Sequence, residues 1–326
     1  MSAVVNAHVG IHVGAPDRNA IAQAQARFKA HGNFLRETPL MKLPGAQFGI
    51  DCAEVWLKLE QLQVGGSFKA RGMLNRLLAN EIPASGVIVA SGGNAGIATA
   101  AAAKALGVPC EVFVPNVSSE AKRAKLRELG ATLVVIGDAY AQALEACLAR
   151  QKESGALMTH AYDQMEVVAG AGTLAAEIEA AGGLPDSLLV SVGGGGLISG
   201  VAAWFERRAR VVALEPELAP TLFRAREAGH PVDVAVSGIA ADSLGARRIG
   251  AIAWEVTSAH VDDALLLSDE AIRTAQLWLW KEMKLAVEPA AALPLAALQS
   301  GAYVPLADEK VCLIICGANL DPATLA

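Results

Sequence analysis

Residues 86–107 read GVIVASGGNAGIATAAAAKALG, and they set the fold class. The apolar run at 87–90 has the length of a buried strand, and Ser91, Gly92 and Gly93 make a turn. The alanine-rich stretch from Asn94 stops at Gly107, just before Pro109, as a helix does. The alternation continues downstream. CEVFVP (110–115) and TLVVIG (132–137) read as strands. SSEAKRAKLRELG (118–130), with Ser118 or Ser119 as N-cap, and AYAQALEACLARQKESG (139–155) read as helices. Strand–helix alternation implies parallel strands with helices on both faces.

After a loop feeding a helix, THAYDQMEVVAGAGTLAAEIEAAGG (159–183), the pattern restarts. SLLVSVGGGG (187–196) is a strand and turn, LISGVAAWFERRA (197–209) a helix and RVVALEP (210–216) a strand. SDEAIRTAQLWLWKEM (268–283) is a further helix and KVCLIICGAN (310–319) a closing strand. The expectation is a two-domain α/β protein of parallel twisted sheets. A small domain would cover 63–160, a large one 1–62 and 161–326, and the cleft between them would hold the site. A chain of 326 residues is long enough for two cores.

With 53% apolar and 18% charged residues the chain has ample interior, which excludes disorder. A formal net charge of −6 and no basic run argue against a nucleic-acid partner. Five cysteines without a C-x-x-C pair are the usage of a reducing compartment. The first thirty residues do not read as a signal peptide, and no apolar run reaches the roughly 20 residues that span a bilayer. The expectation is a cytoplasmic protein with no membrane partner. His8 and His12 stand four apart, but no acid or cysteine completes a metal set, so no metal is expected.

Two glycine turns each follow a strand and open a helix, so free N–H groups and the positive end of a helix dipole face the same space. Such a turn receives a phosphate or a carboxylate. In the second, Gly193, Gly194, Gly195 and Gly196 remove every Cβ that would block an anion. The first, Ser91-Gly92-Gly93-Asn94, adds side-chain partners, although Asn94 alone reads equally as the N-cap of its helix. VGGGGLISG followed by Glu215 also suggests a dinucleotide site, with Glu215 on a ribose, but Ile198 or Ser199 stands where the third glycine belongs.

GGSFKARG (65–72) places Lys69 behind two glycines, a serine and Phe68. Together with SGGNAG, VGGGGLISG, VEPAAALPLAAL and ICGAN, in this order, it resembles the pyridoxal-phosphate-dependent serine and threonine dehydratases. These share the fold type II of the tryptophan synthase β chain, and the match runs from TPLMKL near residue 38 to residue 319. The resemblance implies that Lys69 forms a Schiff base with the cofactor aldehyde and then serves as general base. Phe68 would lie on the cofactor ring, with Gly65 and Gly66 letting the backbone approach it. Gly193 to Gly196 would hold the phosphate, Asn94 the ring hydroxyl, and Cys316 would face the pyridine nitrogen. Ser91, Gly93, Asn94 and Ala95 would bind the substrate carboxylate. The implied reaction is β-elimination of water from a 3-hydroxy amino acid, L-serine, L-threonine or a bulkier analogue. The products are a 2-keto acid and ammonia.

Departures from the family pattern narrow the reading. Ala70-Arg71 follow the lysine where sulfur-transferring synthases carry Asp-Arg, which disfavours β-replacement. Gly92 stands where serine racemases place a proton-donating serine. Some relatives bind a cation near ALEPELAP; here Glu215 is present, but Thr221 falls where a second acid is expected. A homodimer is a family habit, and Trp278 and Trp280 in LWLWKEM mark either a buried helix or a subunit interface. A nicotinamide dehydrogenase and a non-catalytic binding protein are the rival classes.

Overall fold

The computed structural model describes residues 14–325; His8 and His12 lie outside them. Ten strands form two sheets: β1 (Leu40–Pro44), β2 (Glu54–Lys58), β3 (Val87–Ala90), β4 (Cys110–Val114), β5 (Thr132–Val135), β6 (Leu157–Thr159), β7 (Ser187–Ser191), β8 (Arg210–Pro216), β9 (Asp263–Leu267) and β10 (Lys310–Ile314). The smaller sheet has the order β5-β4-β3-β6 and the larger β1-β2-β10-β7-β8-β9. All pairings are parallel except β1 with β2, so one edge departs from the expected parallel sheet. The inner strands β3 and β7 are buried throughout their length, as strands covered by helices on both faces must be.

The strand orders fix where a ligand can sit. In the small sheet the chain runs from β3 outward to β5, then crosses to place β6 on the other side of β3. In the large sheet it runs from β7 outward to β9, then returns to place β10 on the other side of β7. At each reversal the loops leaving two neighbouring strands diverge and open a crevice at their carboxyl ends. The loops that leave β3, β6, β7 and β10 begin at Ser91, His160, Val192 and Ile315.

Two local readings need correction. Helix Gly196–Phe205 stops four residues short of the sequence expectation, because Glu206 and Arg207 take positive φ (46° and 66°) and end it. Asn94 is the first residue of helix Asn94–Leu106 and not its cap; Gly93 holds the cap position and the Asn94 side chain points elsewhere. Of Ser118 and Ser119, Ser119 caps helix Glu120–Glu128. Trp278 packs on Phe48 with ring centroids 5.4 Å apart, whereas Trp280 is partly exposed.

A buried ionic network surrounds Arg71. Arg71 donates to both Glu60 oxygens at 2.8 Å and to Glu177 at 2.6 and 2.8 Å. Lys58 also reaches Glu177, at 2.5 Å, and the Thr38 carbonyl at 2.8 Å. Two cations face two anions, so none of the four charges is left buried alone. The network ties helix Lys69–Leu78 to β2 and to helix Met165–Gly182.

Candidate active site

Lys69 opens helix Lys69–Leu78, and its Nζ donates to the Ala161 carbonyl at 2.6 Å. The amine sits 5.0 Å from the centroid of the Phe68 ring. Burial lowers its pKa from 10.5 to about 8, against the opposing pull of Glu288. Cys316 itself is buried, and burial and Glu288 push its thiol well above the usual range, so it is neutral.

Gly65 and Gly66 have protein atoms against the positions a side chain would take. Both have positive φ (72° and 76°), a Cβ on Gly65 would stand 3.3 Å from Ile97, and one on Gly66 2.7 Å from Asn319 Oδ1. The glycines therefore let the lysine-bearing turn dock on the last motif, where Ala318 N–H donates to the Gly66 carbonyl. Asn319 Nδ2 donates to Gly65 O and to Asn94 Oδ1, both at 2.7 Å. The Asn94 amide in turn donates to both Glu288 oxygens, at 3.0 and 3.1 Å.

Glu288 is a site residue that sequence reading missed, although its motif was noted. Burial raises its pKa to about 7, with hydrogen bonds from Asn94 and Ser243 acting the other way. His160, in the segment THAYDQ, reads from sequence as structural and not as a ligand. Its Nδ1 accepts from Asp163 N at 3.0 Å and Tyr162 N at 3.4 Å, which leaves the ring proton on Nε2. Burial, with the nearby Lys69, lowers its pKa and keeps it neutral.

The four glycines lie under the segment that follows β6. A Cβ on Gly194 would stand 2.4 Å from the Tyr162 ring, and one on Gly195, whose φ is 90°, 2.4 Å from Ala253 Cβ. The carbonyls of Gly193, Gly194 and Gly195 accept from Thr221, Gly250 and Ser199. The N–H groups of Gly193 to Gly196 find no protein acceptor among the described residues. They lie at the start of helix Gly196–Phe205, where an anion is the natural partner. Ser91 Oγ accepts from Gly93 N–H at 3.3 Å. The Ala95 methyl packs in a cluster with Ala70, Met73 and Val167, which leaves that residue only its backbone to offer.

Glu215 has a different task from the one a dinucleotide site requires. Its carboxylate accepts from Leu222 N and Phe223 N, both at 2.7 Å, and from Thr221 Oγ1 at 2.8 Å, capping the helix that follows its own strand. Lys69, Asn94, Glu288 and Cys316 are thus neighbours, and Tyr162, next to the Ala161 carbonyl that holds Lys69, brings the glycine loop to them.

The family model for pyridoxal-phosphate dependent enzymes matches residues 33–317. The chain belongs to that family. Its fold is the tryptophan synthase β-like fold, and pyridoxal phosphate is its cofactor. Among curated relatives, the phenylserine dehydratase of Ralstonia pickettii is 36% identical over 317 residues, 95% of each chain. The L-threonine ammonia-lyase of Geobacter sulfurreducens is 36% identical over 279 residues, 83% of this chain and 69% of that one. Among solved structures, maize serine racemase aligns with a TM-score of 0.88 at 29% identity, covering 95% of this chain and 96% of that one. A threonine deaminase from T.th. aligns with a TM-score of 0.86 at 33% identity, covering 94% of this chain and 99% of that one.

The residues present fit a pyridoxal-phosphate dependent enzyme. Four unaccepted amides suit the phosphate, a lysine amine of lowered basicity suits the aldehyde, and a neutral thiol suits an uncharged ring nitrogen.

Proposed function

We propose that this enzyme is a lyase that removes water from a 3-hydroxy amino acid, of the L-serine and L-threonine class or a bulkier analogue such as phenylserine. The observation that carries the reading is Lys69, a desolvated amine with a pKa of about 8 beside four free glycine amides. Bound pyridoxal phosphate supplies an electron sink for the pair left when Cα loses its proton. Lys69 is the base that takes that proton, for which an amine titrating near neutrality is suited. The amides of Gly193 to Gly196 hold the phosphate, Phe68 covers the ring, and Asn94, fixed by Glu288 and Asn319, orients the ring hydroxyl. Ser91, Gly93, Asn94 and Ala95 take the substrate carboxylate. The 3-hydroxyl leaves as water, and the released enamine adds water and loses ammonia to give the 2-keto acid. The neutral Cys316 leaves the ring nitrogen without a proton, which favours prompt elimination over transamination.

We read the functional units as 63–160 and 1–62 with 161–326. Five buried, unpaired cysteines support a reducing, cytoplasmic setting. Racemisation is the second reading, because maize serine racemase is a close structural match. Gly92 disfavours it, since glycine has no side chain to return a proton to Cα.

Release of 2-keto acid from L-serine, L-threonine and L-threo-phenylserine, each supplied alone, tests the proposal. Turnover of any of the three by the wild type, with loss on the order of 10²–10⁴-fold in Lys69→Ala, is the expected result. D-serine appearing from L-serine faster than pyruvate would replace elimination by racemisation.

A further inference from the structure

The geometry points to Lys122 and Asp242 as positioning residues that hold the substrate-carboxylate loop from across the cleft. Residues 238–244 form a roof segment rooted in the large unit. At one end Ile239 N–H donates to Asp269 at 3.1 Å. At the other, Leu244 lies against the glycine loop, 3.0 Å from where a Cβ on Gly193 would stand. Between these anchors the segment reaches the small unit through Asp242. Its carbonyl oxygen lies 3.9 Å from the Cβ position of Gly93, in the loop after β3. Its carboxylate pairs with Lys122 Nζ in the first turn of helix Glu120–Glu128. Among the described residues this is the one hydrogen bond or ion pair between segment 238–244 and residues 63–160.

Solvation decides what such a pair can do. The Lys122 and Asp242 side chains are 28% and 62% exposed, so the pair is hydrated and is made and broken readily. The Arg71 network behind the cleft is buried and cannot part without stranding charges. The cleft is therefore fixed at the back and releasable at the front. The pair also has an electrostatic role that rests on the proposed function. An unpaired Asp242 beside Gly93 would repel a substrate carboxylate, and Lys122 cancels that charge while the pair is closed.

This predicts an asymmetry. In the holoenzyme, Lys122→Met leaves a bare carboxylate and raises KM by about two- to fivefold, with kcat less affected. Asp242→Asn removes the repulsion along with the pair and raises KM less, and the double variant matches Asp242→Asn. The rate at which hydroxylamine strips the cofactor, which reads cleft opening without turnover, rises by about two- to fivefold in both single variants. Equal KM effects in the two single variants, or wild-type stripping rates in both, would overturn the inference. Because stripping needs no substrate, a wild type that turned over none of the tested amino acids would refute the proposed function and still leave the pair to be judged.

Discussion

Lys69 has Glu288 near it to favour its proton and still titrates near pH 8, because burial outweighs that pull. Only the neutral amine attacks an aldehyde. Cofactor uptake by the apoprotein should therefore slow by about tenfold per pH unit below 8 and level off above it, as followed by absorbance in stopped flow. Glu288 works in the opposite sense. Its pKa is about 7 in the fold against 4.5 ordinarily, so between these values the folded chain keeps a proton that the unfolded chain has released. Its contribution to apoprotein stability is accordingly lost as pH rises from about 4.5 to 7. Glu288→Gln should flatten that slope by up to about 1.4 kcal/mol per pH unit, measured from urea midpoints. An unchanged slope would mean that Glu288 is ionised in the folded protein.

The elements explain which parts of the site could be read in advance. The glycine turns and GGSFKARG were legible because strand, turn, helix and lysine lie within one short window, where period and chain-breaking residues carry the signal. Glu288 was not, since its meaning comes from Asn94 and Asn319, which only the folded chain brings to it. The Ala161 carbonyl that holds Lys69 leaves no trace in sequence, because every residue has one. β2 escaped notice for another reason: EVWLK reads as half-polar, and Lys58 is buried only because Glu177 and the Thr38 carbonyl meet it. The glycine loop is the element with least room. Gly194→Ala would drive a methyl to within 2.4 Å of the Tyr162 ring, next to the carbonyl that positions Lys69. Overpacking of this kind costs about 1–3 kcal/mol. The expected outcome is weaker cofactor binding in an absorbance titration, with the fold retained by circular dichroism.

At the scale of the whole molecule, each sheet reverses its winding once, and the loops that leave the strands at both reversals carry the site residues Ser91, Asn94, Ala161, Gly193 to Gly196 and Cys316. The Arg71 network ties helix Lys69–Leu78 to β2 and to helix Met165–Gly182. Arg71→Met should destabilise the protein by about 3–5 kcal/mol in urea, because Glu60 is left buried without its cation. A loss under about 1 kcal/mol would show that the pair is replaceable by packing. The sheet order also bears on how the protein is made. The strands of the smaller sheet are consecutive in the chain, so that sheet can assemble while later residues are still being added at the ribosome. The larger sheet cannot close so early. β2 waits for β10, the last of the ten described strands in chain order, and until it emerges one edge of the β1–β2 hairpin and one edge of β7 stay open. The pyridoxal-phosphate site is then completed only once β10 has joined the sheet, and until it does the nascent chain has the most need of protection against edge-to-edge association.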